Sequence, residues 1–125
     1  MSETGARYPY EAPVTAYGNG GFRFAEMSHK GSILCLPSGV YAWDVTSAED
    51  LTLAAFARVL ADLPTPGVLL LGTGAIQVFP SAEITKAFAE KRLGLEPMST
   101  GAAARTYNVL LAEKRLVAAA LIAVP

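Results

Sequence analysis

One cysteine, one histidine and few charges of either sign set the first limits on this chain. Cys35 has no second cysteine to pair with, so no internal disulfide can form, and a reducing compartment suits it. Cys35 and His29, without clustered acids, make no metal-ligand set, and no cofactor motif replaces it. Charged residues are 17% of the 125 and the formal net charge is −1, which leaves no electrostatic footprint for nucleic acid or anionic lipid. Long apolar runs are also missing. The longest, "LVAAALIAV" at 116–124, is too short to span a bilayer. "MSETGARYPYEAP" at the start lacks the apolar stretch of a signal peptide. These absences point to a soluble cytoplasmic protein. What the chain does have is apolar bulk, 52% of its residues, enough for one well-filled core with apolar surface left for a partner.

Residues 1–13 carry two prolines and no periodicity and are expected to form a flexible arm before a single domain over 14–125. The first strand is expected at Val14–Tyr17, followed by a "GNGG" turn. "FRFAEM" and "SILCL" flank "SHKG", which predicts a hairpin with Gly31 in its turn. After "PSG", the strand "VYAWD" sets Tyr41 and Trp43 on one face and Val40 and Ala42 on the other. The period then changes. Phe56, Val59, Leu60 and Leu63 trace one helix face that starts near Ser47 and stops at Pro64 and Pro66. "GVLLLG" at 67–72 is a strand buried on both faces. A second helix follows, from about Ser81 to Leu93, with Ile84 and Phe88 inward and Gly94 as its stop. "LEPMS" is a short strand, "TGAAARTYNVLLAEKR" a helix, and "VAAALIAV" the most apolar strand, expected at the sheet's centre. The pattern is α/β: an N-terminal antiparallel hairpin region, a C-terminal βαβαβ half, and three layers around one central mixed sheet.

If the strands 67–72 and 95–99 run parallel, their C-terminal ends share one rim. Gly72, Thr73 and Gly74 leave one strand there, and Thr100, the expected N-cap of the next helix, leaves the other. Arg105 begins about 7.5 Å along that helix and can reach back to the rim. Gly72, Thr73, Gly74, Thr100, Arg105 and Asn108 are therefore the candidate rim, where free amides and Arg105 suit an anionic ligand. A plainer reading also stands: Arg105 and Asn108 bond loop carbonyls and fix the packing of their helix, and "GTG" is a tight turn. Tyr107 lies with Ala103, Leu110 and Leu111 on the core stripe instead. Tyr41 and Trp43 are read as core or as a candidate partner surface. His29 is expected to be simply exposed, and Cys35 to pack as a small hydrophobe. No acid–base pair, nucleophile elbow or catalytic residue emerges.

"AYGNGGFRF", "GSILCLPSGVYAWDV", "LLLGTG" and "MSTGAAARTYNVLLAEKRLVAAALI", in this order, resemble a small single-domain family long catalogued as a domain of unknown function. Its structural prototype is an archaeal Mth-type protein, and its mitochondrial branch contains NADH:ubiquinone oxidoreductase (respiratory complex I) assembly factor three. The resemblance runs from about residue 14 and is most specific at "GTG" and "ARTYN-x-L-x-x-E-x-R", which includes Tyr107 and Glu113. It implies a three-layer α/β fold with a central mixed sheet, no established reaction, cofactor or substrate, and action through protein contacts. Many relatives carry a cysteine near Ala104, and its absence here argues against thiol chemistry at that spot. No mitochondrial presequence is visible, so the chain looks like an untargeted member. Two readings result: a protein-binding or assembly-assisting domain, and a small-molecule site at the rim. A homo-oligomer built on the spare apolar surface is a third.

Overall fold

The uniformly apolar runs form the middle of a sheet. The computed structural model describes residues 5–65 and 67–125. Five strands, β4 (Ser32–Leu36), β5 (Gly39–Trp43), β6 (Gly67–Gly72), β7 (Leu93–Met98) and β8 (Val117–Leu121), pair in the order β5-β4-β8-β6-β7. β8 is central, as its composition requires. It runs parallel to β6 and antiparallel to β4, so the sheet is mixed. A smaller antiparallel sheet of β1 (Val14–Gly18), β2 (Gly21–Phe24) and β3 (Met27–Lys30) packs beside it. Pro97 donates no ladder bond, and it is tolerated because β7 is an edge strand.

Alternation sends β-strand side chains to two cores. Leu34, Trp43, Leu69, Leu71 and Ala120 meet Phe56, Val59, Ile84 and Phe88 of the helical layer on one face. That layer holds two 3-10 helices, Ala48–Asp50 and Leu53–Phe56, with α1 (Ala57–Asp62) and α2 (Ala82–Glu90). Ile33, Cys35, Leu70, Ala119 and Leu121 meet Phe22 and Phe24 of the small sheet and Ala103 and Tyr107 of α3 (Thr100–Ala112) on the other. Right-handed crossovers explain why α2 and α3 lie on opposite faces. β6 to β7 steps one way along the sheet, and β7 to β8 steps back across β6.

Three local expectations are corrected. The hairpin closes between β2 and β3 at Ala25 and Glu26, whose φ values are +50° and +62°. "SHK" is thus strand, and Gly31, at φ +93°, passes the chain from one sheet to the other. Gly94 lies inside β7, where a Cβ would sit 3.1 Å from Val68 Cγ2; Arg92, at φ +60°, takes the left-handed position after α2. The N-cap of α3 is Ser99, not Thr100; its hydroxyl accepts from the Ala102 amide. Ahead of β1, the chain at Arg7 and Tyr8 pairs with β5. The Arg7 and Tyr8 amides donate to the Val40 carbonyl, Val40 donates back to Tyr8, and Ala12 is buried. β5 is an edge strand whose free backbone groups need such cover. α1 ends before Pro64, with Leu63 extended as a residue preceding proline must be; Pro66 and residues 1–4 lie outside the described residues.

Candidate functional site

The two parallel crossovers bring the ends of β6 and β7 together as their pattern requires, and the rim they form is closed. The Thr100 amide donates to the Gly74 carbonyl at 2.8 Å, and the Gly74 amide donates to Thr100 Oγ1 at 3.0 Å. The Thr100 hydroxyl in turn donates to the Ile122 carbonyl at 2.7 Å. Thr100 is fully buried and Thr73 nearly so. Gly72 is required by this proximity, since a Cβ there would lie 2.9 Å from Thr100 Cα. Ser99 holds the Ala102 amide by its hydroxyl and the Ala103 amide by its carbonyl. The helix start therefore spends the Thr100, Ala102 and Ala103 amides on its own chain, which weakens the case for an anion at that spot.

Thr73 turns the same closure into a display. Its hydroxyl donates to the Ile76 carbonyl at 2.6 Å, with the Met98 carbonyl at 3.2 Å, and accepts from the Val78 amide at 2.9 Å. Gln77 Nε2 donates to the Pro97 carbonyl. The connection from β6 to α2 is thus pinned by its polar groups while Ile76 and Phe79 stand 69% and 73% exposed. Sequence reasoning missed both. They sit in a loop without periodicity, and only the hydrogen bonding of Thr73 shows which way the loop faces.

Arg105 and Asn108 take different roles. Arg105 is exposed and folds back over the first turn of α3, with Nη1 3.5 Å from the Tyr17 hydroxyl. Tyr17 itself lies over Gly101, and a Cβ at 101 would run into the Tyr17 hydroxyl. Asn108 clamps one residue of β1. Its Oδ1 accepts from the Val14 amide at 2.9 Å and its Nδ2 donates to the Val14 carbonyl at 2.8 Å. Its amide imitates a neighbouring strand, which explains a weak helix former in mid-helix.

The aromatic candidates belong to the core. Tyr41 and Trp43 are 9% and 6% exposed, so of the two readings their side chains fit the core. Trp43 Nε1 donates to the Ala55 carbonyl at 2.9 Å and its ring packs 5.8 Å from Phe56. The Tyr41 hydroxyl pairs with Ser38, and Arg58 lies over the Tyr41 ring at 4.1 Å. Their faces fill the space under the helical layer, and burial is what an edge-strand aromatic gains there.

Burial moves three titratable groups away from their ordinary values. Burial pushes the Cys35 thiol up to about 12, which keeps it protonated and unreactive. Burial also pushes the Tyr107 hydroxyl well above the ordinary phenol range, and that hydroxyl has no hydrogen-bond partner among the described residues. Burial, and then the nearby Arg7 charge, lower the pKa of His29. His29 is half-buried on β3 rather than simply exposed. Among the described residues, no group of three or more His, Cys, Asp or Glu is placed to hold a metal. No helix among them is long and apolar enough to cross a membrane.

The chain is similar to several known proteins. An uncharacterized protein of Rhodobacter capsulatus is 38% identical over 113 residues, covering 90% of this chain and 86% of its own. The zebrafish (Danio rerio) NADH dehydrogenase [ubiquinone] 1 alpha subcomplex assembly factor 3 is 32% identical over 112 residues, and the chain spans 64% of its length. A crystal structure of a Bartonella henselae protein, named an outer membrane protein, superposes with a TM-score of 0.89 at 51% identity, covering 95% of this chain and all of that one. The structure named MT938 shares the fold at a TM-score of 0.61 and 13% identity, covering 92% of this chain and all of that one. The model of the family described as "Protein of unknown function (DUF498/DUF598)" matches residues 14–122, and this chain belongs to that family.

Proposed function

We propose that this chain is a protein-binding, assembly-assisting domain that docks its partner on the connection between β6 and α2. The observation that carries this reading is the pair Ile76 and Phe79, more than two thirds exposed on a loop whose backbone Thr73 fixes. Covering a Phe or Ile side chain is worth about 1.5–3 kcal/mol, and a loop that is already ordered loses little entropy on binding. The family's assembly-factor members support the reading, and a subunit of a respiratory NADH dehydrogenase is the first partner to test.

The test is affinity capture from native cells with the wild-type chain and an Ile76→Ser/Phe79→Ser variant, followed by titration of the captured protein with both purified chains. The expected loss is about 2 kcal/mol per side chain, roughly thirtyfold each in Kd, with unchanged thermal stability. Equal affinity for both chains would move the partner surface elsewhere. Light scattering addresses the homo-oligomer: a dimer of the wild type that the variant lacks would make the partner a second copy. The rival reading, a ligand at the Gly72–Gly74 and Thr100–Arg105 rim, has Arg105 at the surface in its favour and the mutual bonding of Gly74 and Thr100 against it.

A further inference from the structure

β4 runs antiparallel to β8, so β4 begins and β5 finishes at the same end of the sheet where β6, β7 and β8 finish. One half of that end is the closed rim. The other half is open. A cleft of about 450 Å3 lies between the end of β5 and the 3-10 helix Leu53–Phe56, and a second of about 380 Å3 lies over the small sheet. They share His29 and Lys30, so they adjoin. Either volume suits a small ligand.

Charge is segregated into these clefts. The chain has ten Lys and Arg against eleven Asp and Glu. Arg7, Arg23, Lys30 and Arg58 line the clefts, with Asp44 as the one acid among the lining residues. A chain of net charge −1 thus presents an excess of cations at one place. Arg58 is already engaged with Asp62 at 4.0 Å and with the Tyr41 ring, so it adds field more than a free hand. Burial, and then the Arg7 charge, disfavour protonation of His29, which places the Arg7 guanidinium near the imidazole in that corner of the cleft. The rest of the lining is mostly apolar: Ala42, Ala54 and Ala55 stand beside a floor of Leu34 and Trp43, whose side chains are buried apart from a narrow margin.

We propose that the cleft beside Trp43 binds a small organic oxyanion, a carboxylate or phosphate monoester carried on an apolar body. Arg7 and Lys30 hold the charge, and Ala42, Ala54 and the exposed margin of Trp43 take the body. Arg7 and Lys30 are both exposed, so the attraction comes from two cations able to reach one oxyanion, and added salt weakens it. This site is separate from the Ile76 and Phe79 surface, and either can fail without the other.

The test is an NMR titration of the full chain at pH 7 and low salt with phenyl phosphate and benzoate, and with phenol as the neutral twin. The expected result is saturable shifts at His29, Lys30 and the Trp43 indole with at least one of the two anions, and a rise in the His29 pKa as the bound anion offsets Arg7. Lys30→Gln and Arg7→Gln are each expected to weaken binding about tenfold. Both side chains are exposed, so the variants keep the fold. Phenol shifting the same signals as strongly, or anion shifts that cluster at Gly74–Thr100 and ignore the two variants, would overturn the assignment.

Discussion

Replacing Asn108 by alanine removes both bonds that hold Val14, at 2.9 and 2.8 Å. Val14 is 5% exposed, so water reaches its freed amide and carbonyl poorly. Two neutral hydrogen bonds are worth about 2 kcal/mol, and leaving their buried partners unpaired raises the loss toward about 4. Alanine returns about 0.6 kcal/mol through its better helix propensity. The net expectation is a loss of about 1.5–3.5 kcal/mol. A 125-residue domain unfolds with an entropy of roughly 0.26 kcal/mol/K, so Tm should fall by about 6–13 °C. Asn108→Asp is expected to be no better, because a carboxylate faces the Val14 carbonyl with nothing to donate. Urea unfolding followed by circular dichroism measures the global loss, and hydrogen exchange at residues 14–24 locates it. An alanine variant as stable as wild type, with unchanged exchange in β1 and β2, would refute the claim that this side chain fastens the small sheet to α3.

Tyr107→Phe deletes the orphan hydroxyl from the core and should leave stability unchanged or raise it by about 1 kcal/mol; a loss above that would reveal a partner for the oxygen. Thr100→Val keeps the shape but strands the Ile122 carbonyl and the Gly74 amide, at a cost of about 2 kcal/mol in thermal or urea unfolding, with Thr100→Ser recovering most of it. If valine is neutral, the closed rim contributes nothing to stability. The pKa of His29 is lowered below its ordinary 6.5 by folding, so the unfolded chain binds the proton more readily. The stability this residue contributes is complete above pH 6.5 and declines as pH falls through that value toward the folded pKa. His29→Gln should flatten that part of the stability profile, and an unaltered slope would assign it to other groups.

The elements that sequence reasoning placed well are those whose physics is one-dimensional. "GVLLLG" and "VAAALIAV" are apolar at every position, and only a strand covered on both faces uses that pattern. Tyr107 and Asn108 could be assigned to different sides of their helix from spacing alone, and they lie so. The misplacements share a cause. Ala25, Glu26 and Arg92 hold positive φ, where glycine is the usual signal. Turns built from such residues leave no mark in composition, so the hairpin shifted to Gly31 and the helix stop to Gly94. The meeting of Gly74 with Thr100 followed from two successive parallel crossovers. Whether the rim was open or closed depended on where one hydroxyl hydrogen bond points, which spacing does not encode. The open half of that sheet end joins Arg7, His29, Trp43 and Arg58 from four separate segments, and no local pattern lists them together.

β8 lies between β4 and β6, and those two strands do not pair with each other. A growing polypeptide that stops short of residue 117 consists of two half-sheets, each with a raw inner edge and no ladder to join them. Synthesis therefore leaves a sticky intermediate until that final insertion locks the layers. Cleavage in the 113–116 connection is predicted to be more damaging than its exposed location suggests, because the wedge that unites both cores would be cut loose.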